Sequence, residues 1–96
     1  PSRQSTGGIN LHWFYMFIVY ILKSLEKDRY YIGHCNDLSV RLERHNKGYI
    51  KSTKSYAPWQ IIYTEEFGSK SSAYKREIQI KSYKGGNAFK KLLNKK

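Results

Sequence analysis

The feature that most restricts the fold is the run FYMFIVYILK, from Phe14 to Lys23. It is rich in aromatic and β-branched side chains, the composition of a central strand buried on both faces. The apolar stretch from Trp13 to Leu22 has only ten residues, where a membrane-spanning helix needs about 20. It also lacks the positive flank and small-residue cleavage site of a secretory signal. A cytoplasmic protein without membrane attachment is expected.

The rest of the chain supplies neighbours for that strand. Leu25 to Asp28 is a polar break, and Arg29 to His34 resumes with Tyr30, Tyr31 and Ile32. Two strands so closely connected read as an antiparallel hairpin. Asn36 or Asp37 is suited to cap a helix over Leu38–Asn46. In that helix Leu38, Arg41, Leu42 and His45 share one face, so an arginine and a histidine lie on the stripe that should meet the core. Gly48 ends the helix, and Tyr49–Trp59 is a long loop carrying Lys51 and Lys54; loops of that length are often functional. Gln60 to Phe67 reads as a third strand. Ser71 or Ser72 is expected to cap a helix running to about Tyr83, with the stripe Ala73, Arg76, Glu77 and Ile80. After Gly85-Gly86, Asn87 is expected to cap a short closing helix with Phe89, Leu92 and Leu93 inward. The order is β-β-α-β-α-α, without internal repeats, heptads or a glycine-rich phosphate loop.

With 96 residues there is room for one core, which excludes a two-domain enzyme or a large cofactor cavity. The 40% hydrophobic and 16% aromatic content excludes a disordered basic tail. The net charge of +11 calls for a polyanionic partner. Residues 68–96 hold nine of the 18 Lys and Arg but one acid, Glu77. The single cysteine, Cys35, forms no intrachain disulfide, fits a reducing compartment and reads as structural. Residues 1–15 are polar and unpatterned up to Trp13 and read as a leader or an appended segment, with the domain proper at 16–96. Trp13, Phe14 and Tyr15 offer an aromatic surface for self-association.

Several unusual positions combine. Tyr20 and Tyr31 lie on adjacent strands, Arg41 and His45 are one helical turn apart, and Glu77 lies on the inward face of the next helix. Phosphodiester hydrolysis needs a group to orient or deprotonate water, a cation to stabilise charge on the phosphate, and a Lewis acid. Mg²⁺ is commonly held by one or two carboxylates plus waters and substrate phosphate, so one Glu suffices.

This ordered set resembles the GIY-YIG nuclease superfamily, and within it the small stand-alone branch similar to the N-terminal nuclease domain of the excision-repair subunit UvrC. The first motif stands as Ile18-Val19-Tyr20 and the second as Tyr31-Ile32-Gly33, eleven residues from tyrosine to tyrosine. Arg41 follows Tyr31 by ten residues and His45 comes four later, in DLSVRLERHN. PWQIIYTEEF and AYKREIQIK, which contains Glu77, match the third strand and the metal-binding helix. The resemblance covers about residues 16–93.

The resemblance implies a small α/β (α+β) domain with a three-stranded, mainly antiparallel sheet flanked by helices. It implies metal-dependent phosphodiester cleavage with Mg²⁺ or Mn²⁺. Tyr20 would orient or activate water, Tyr31 would support it and touch the phosphate, and Arg41 would stabilise the transition state. His45 would assist with the proton or the leaving group, and Glu77 would bind the metal. Whether Tyr20 or His45 accepts the proton stays open. Gly33 would let the strand approach the site without a Cβ. Ile18 replaces the glycine of the family name. Asn87 lies ten residues beyond Glu77 and past Gly85-Gly86, so the family's additional asparagine is not carried over to it.

The expected function is a metal-dependent endonuclease on DNA, of low intrinsic sequence specificity, in repair or recombination, with a partner protein available for targeting. Phosphate contacts are expected from Lys51, Lys54, Lys70, Lys75, Lys81 and Lys84, with steep salt dependence. The alternatives are a non-catalytic or vestigial DNA-binding module and, more remotely, a basic membrane-surface protein. Tyr30 and Tyr63 read as core or surface aromatics, Glu66 as a solvated acid, and His34 as either a cleft or an exposed loop residue. Glu77 has the structural alternative of pairing with Lys81 or Lys70. Removing residues 1–12 is expected to leave folding and DNA cleavage unchanged; a lower unfolding midpoint or lost cleavage in the shortened chain would contradict the leader assignment.

Overall fold

A computed structural model of the chain describes residues 16–94. The segment assigned as a leader, with Trp13, Phe14 and Tyr15, lies outside the described residues. The elements are β1 (Phe17–Ser24), β2 (Tyr30–Cys35), α1 (Leu38–Asn46), a 3-10 turn (Lys54–Tyr56), β3 (Trp59–Phe67), α2 (Lys70–Ser82) and α3 (Asn87–Asn94). The sheet order is β2-β1-β3, and β1 is antiparallel to both neighbours. The α+β class and the β-β-α-β-α-α order agree with the sequence reading.

Centrality of β1 follows from its composition. Val19, Tyr20, Ile21 and Leu22 are at most 1% exposed, so consecutive residues are buried on opposite faces. Val19 and Ile21 point to one core, with Tyr63, Ala73 and Ile80, and with Phe89 and Leu92 of α3. Tyr20 and Leu22 point to a second core, with Cys35 and Trp59, against which Leu38 and Leu42 of α1 pack. Helices α2 and α3 therefore cover one face, and α1 with its following loop covers the other.

A register shift in β3 serves this division. Ile21 pairs with Tyr63, but Leu22 pairs with Ile61, so Ile62 is an extra residue. A one-residue bulge reverses the facing of everything beyond it. Trp59 is thereby turned to the Tyr20 side, whereas Tyr63 stays on the Val19 side. The indole Nε1–H donates to the Thr53 carbonyl at 3.1 Å.

Helix starts follow short polar side chains. Of the two candidates before α1, Asp37 is the cap, accepting from the Val40 N–H at 3.3 Å. The cap of α2 is Ser69, not Ser71 or Ser72. Ser69 has extended backbone and its Oγ accepts from the Ser72 N–H at 3.1 Å, which puts both later serines in the first turn. Asn87 is not a cap either: α3 starts with it, and the Gly86 carbonyl accepts from the Lys90 N–H at 3.0 Å. The inward Arg76 is held by Glu65 of β3, with Nε to Oε1 at 2.8 Å and Nη2 to Oε2 at 2.9 Å. The Tyr63 hydroxyl donates to the same carboxylate.

The last residue of α1 ties it to the sheet. Asn46 Oδ1 accepts from the Trp59 N–H at 2.6 Å, and Asn46 Nδ2 donates to the Trp59 carbonyl at 3.2 Å. This two-pronged amide contact fixes the helix end beside β3. Asn46→Ala is expected to lower stability by about 1–3 kcal/mol, because it leaves paired backbone groups without partners. Asn46→Asp, which keeps the acceptor, should lose less. Urea unfolding of the three proteins checks the ranking.

Candidate active site

The site is built across the edge strand β2. Tyr20 on β1 pairs with Gly33 on β2. A Cβ at Gly33 would lie 2.7 Å from the Tyr20 hydroxyl and 2.9 Å from Cζ. Glycine is needed here for space: the tyrosine ring runs through the volume any other side chain would take. Having crossed Gly33, the Tyr20 hydroxyl lies 3.1 Å from His45 Nε2.

His45 is 0% exposed at the end of α1. Its Nδ1 lies 2.8 Å from Thr53 Oγ1, and the Tyr31 ring packs against it at 4.8 Å between centroids. Burial, with the Arg41 charge adding to it, lowers its pKa to about 4. Burial pushes the Tyr20 hydroxyl well above the usual phenol range; Tyr31 and Cys35 add to this, and Arg41 opposes it. At neutral pH the pair is a protonated tyrosine and a neutral imidazole. Arg41 stands one turn before His45, half-buried, and makes no ion pair among the described residues.

The carboxylate half lies on the other face of the sheet. Glu77, 8% exposed on α2, has Oε1 at 2.5 Å from His34 Nδ1 and Oε2 at 2.6 Å from Lys81 Nζ. Burial alone would raise its pKa. Hydrogen bonds from Lys81 and His34, with their charges, outweigh burial and hold the carboxyl below its usual range. Lys70 Nζ approaches His34 Nε2 at 3.4 Å.

Among the described residues no group of three or more His, Cys, Asp and Glu side chains is placed to hold a metal ion. An ionised, largely buried carboxylate among cationic groups is nevertheless the donor that Mg²⁺ or Mn²⁺ takes when waters and substrate phosphate complete the shell. Both Glu77 oxygens are engaged here by His34 and Lys81, so an ion bound at this carboxylate would displace at least one of them.

The structure thus places Tyr20, Tyr31, Arg41 and His45 together on one side of β2, and Glu77 on the other. Of the lysines, Lys70 and Lys81 flank Glu77. Lys84 joins Lys81, Asp28 and Tyr30 in lining a cleft of about 450 Å³. Lys51 and Lys54 are exposed on the loop around Thr53, and Lys75 is exposed on α2. Tyr30 stacks edge-on with Phe89, Tyr63 is core, and Glu66 is exposed. Of the two readings open for His34, the structure bears out the cleft one, and Thr53 was not singled out from the sequence. His34 alternates with Tyr30 and Ile32 towards α2, and that period was a usable signal. Thr53 carried none beyond being a hydroxyl in a polar loop.

This architecture and these positions define a class. Residues 16–91 match the family model described as the GIY-YIG catalytic domain. The chain belongs to that family, which is a nuclease family. It is 41% identical over 66 residues to the UPF0213 proteins of Staphylococcus aureus strains Mu3 and N315, spanning 68% of this chain and 79% of each relative. The solution NMR structure of a UPF0213 protein from Bacillus halodurans is 27% identical, covers 83% of both chains and superposes with a TM-score of 0.48. No helix among the described residues is long and apolar enough to cross a membrane.

The buried neutral histidine has a measurable consequence. Its folded-state pKa of about 4 lies below the usual 6.5, so between these values the unfolded chain binds the extra proton. Stability is then present above pH 6.5 and is lost as pH falls towards 4, by on the order of 3 kcal/mol. Urea midpoints between pH 7.5 and 4.5 should fall in the wild type and flatten in His45→Asn. An equally steep fall in both would place the titration elsewhere.

Proposed function

We propose that the protein is a metal-dependent endonuclease that hydrolyses DNA phosphodiester bonds with low intrinsic sequence specificity. Family membership supports the reaction class. The observation that carries the reading is a neutral Tyr20–His45 pair with Arg41 on one face of β2 and an ionised Glu77 on the other.

In this reading the scissile phosphate lies over the end of β2. The Tyr20 hydroxyl orients the attacking water, with His45 behind it as proton acceptor. Tyr31 packs on His45, keeps the ring in place and lies beside the phosphate. Arg41, which makes no ion pair among the described residues, directs its charge at the phosphate oxygens as negative charge builds up. Glu77 would hold Mg²⁺ or Mn²⁺, and the chemistry such an ion supplies is neutralisation of charge on the phosphate and leaving oxygens. His34 and Lys81 keep Glu77 ionised and aimed. Lys70, Lys81 and Lys84 lie on the Glu77 side to take flanking phosphates, with Lys51, Lys54 and Lys75 adding to the basic surface. Affinity drawn from phosphates carries little sequence information. Substrate choice would then rest on DNA structure, in repair or recombination, or on a partner that delivers the domain.

Plasmid and branched DNA should be cut with Mg²⁺ or Mn²⁺ and left intact with EDTA. Glu77→Ala and Arg41→Ala should each slow cleavage by about 10²–10³-fold. Parent-like rates in both variants would refute the site. Salt-sensitive DNA binding without metal-dependent product would instead identify a non-catalytic DNA-binding module.

A further inference from the structure

Thr53 is 1% exposed in the loop between α1 and β3. Its hydroxyl makes two contacts, with the Ile50 carbonyl at 3.3 Å and with His45 Nδ1 at 2.8 Å. A hydroxyl has one proton to give, and a carbonyl oxygen can only accept. With the Thr53 proton on the Ile50 carbonyl, Oγ1 faces His45 as an acceptor. His45 Nδ1 then carries the hydrogen, whereas a Thr53 proton directed at Nδ1 would leave it on Nε2. In the first case the other nitrogen of the neutral ring is bare, so Nε2 offers a lone pair to the Tyr20 hydroxyl 3.1 Å away.

The opposite tautomer would place a hydrogen on Nε2. It would donate to the Tyr20 oxygen and turn the phenol proton outward, towards the water. Both nitrogens sit in the same place in either case; only the hydroxyl at position 53 distinguishes them.

We propose that Thr53 is a positioning residue that locks His45 as the Nδ1–H tautomer and thereby fixes proton movement in one direction, from water through Tyr20 to His45. This rests on the reading of Tyr20 as the water-orienting group. In the step, a water proton passes to Tyr20 Oη as the Tyr20 proton passes to His45 Nε2. The water oxygen bonds to phosphorus, the bond from phosphorus to the leaving oxygen breaks, and that oxygen takes a proton from solvent. His45 afterwards returns its proton to solvent, so protons balance over the cycle. Throughout, Thr53 Oγ1 accepts from Nδ1–H and makes no contact with substrate.

The loop does not depend on the hydroxyl for its path. The Thr53 N–H donates to the Ile50 carbonyl at 3.1 Å, and the Thr53 carbonyl accepts from the Trp59 indole at 3.1 Å. Thr53→Val, of nearly the same shape, therefore removes the tautomer lock while keeping these anchors.

Long-range ¹H–¹⁵N spectra of the His45 ring, at neutral pH and without DNA, test the assignment directly. The wild type and Thr53→Ser should show a protonated Nδ1 and a bare Nε2, and Thr53→Val should show mixed tautomers. In cleavage assays Thr53→Val should lower kcat about a hundredfold with KM unchanged, and Thr53→Ser should restore it. A hydrogen on Nε2 in the wild type overturns the proposal, even if Thr53→Val fails to fold. So does an unchanged ring in a folded Thr53→Val. If the tautomers behave as expected but the parent cuts no DNA, the lock stands and the nuclease reading has failed.

Discussion

The burial of β1 on both faces sets most of what surrounds it. Each of its central side chains contributes about 1.5–3 kcal/mol when removed from water, which is large beside the roughly 5–15 kcal/mol that holds an ordinary domain folded. Val19 and Ile21 require one covering layer and obtain it from α2 and α3; Leu22 requires another and obtains it from α1 and the loop to β3. Tyr20 is the exception within the run. Its ring satisfies the packing, but its hydroxyl arrives in a buried place and needs a polar partner. His45 provides one, Thr53 satisfies His45 in turn, and the Ile50 carbonyl satisfies Thr53. Demands of packing and hydrogen bonding therefore lead inward from the strand to the polar chain that the chemistry would use.

Much of this was legible in the sequence. The dense apolar run announced a central strand, and the periodicity of Leu38, Arg41, Leu42 and His45 announced the inward face of α1. The same stripe carried two polar residues, of which His45 is buried and Arg41 half-buried. Other details were hidden because they depend on contacts remote in sequence. The shift at Ile62 appears only when β3 is laid beside β1, since nothing in QIIYT marks an extra residue. Ser69 competes with Ser71 and Ser72 for one role, and backbone conformation decides among them. Arg76 and Glu77 are both inward charges on one helix; only the presence of Glu65 on β3 separates a structural ion pair from a candidate site residue.

Charge also has a different distribution from the one a count suggests. Glu65 pairs with Arg76, Glu43 with Lys47, and Asp37 caps a helix. Glu65 joins β3 to α2 and Asp37 starts α1, while Glu43 is in an exposed pair within α1. Glu77 is the buried acid whose partners, His34 and Lys81, are themselves at an accessible edge, with Lys81 about half-exposed. The surrounding basic surface would raise the local concentration of a polyanion at that edge.

The position of Gly33 at a sheet edge has one more consequence. The two halves of the site belong to separate cores and share no packing layer, yet they meet across the width of a single strand. Substitutions in α1 or its loop can alter the proton-handling half, and substitutions in α2 can alter the carboxylate half, without either repacking the other. Such a site can be retuned one component at a time, while the glycine remains the position that the tyrosine half cannot do without.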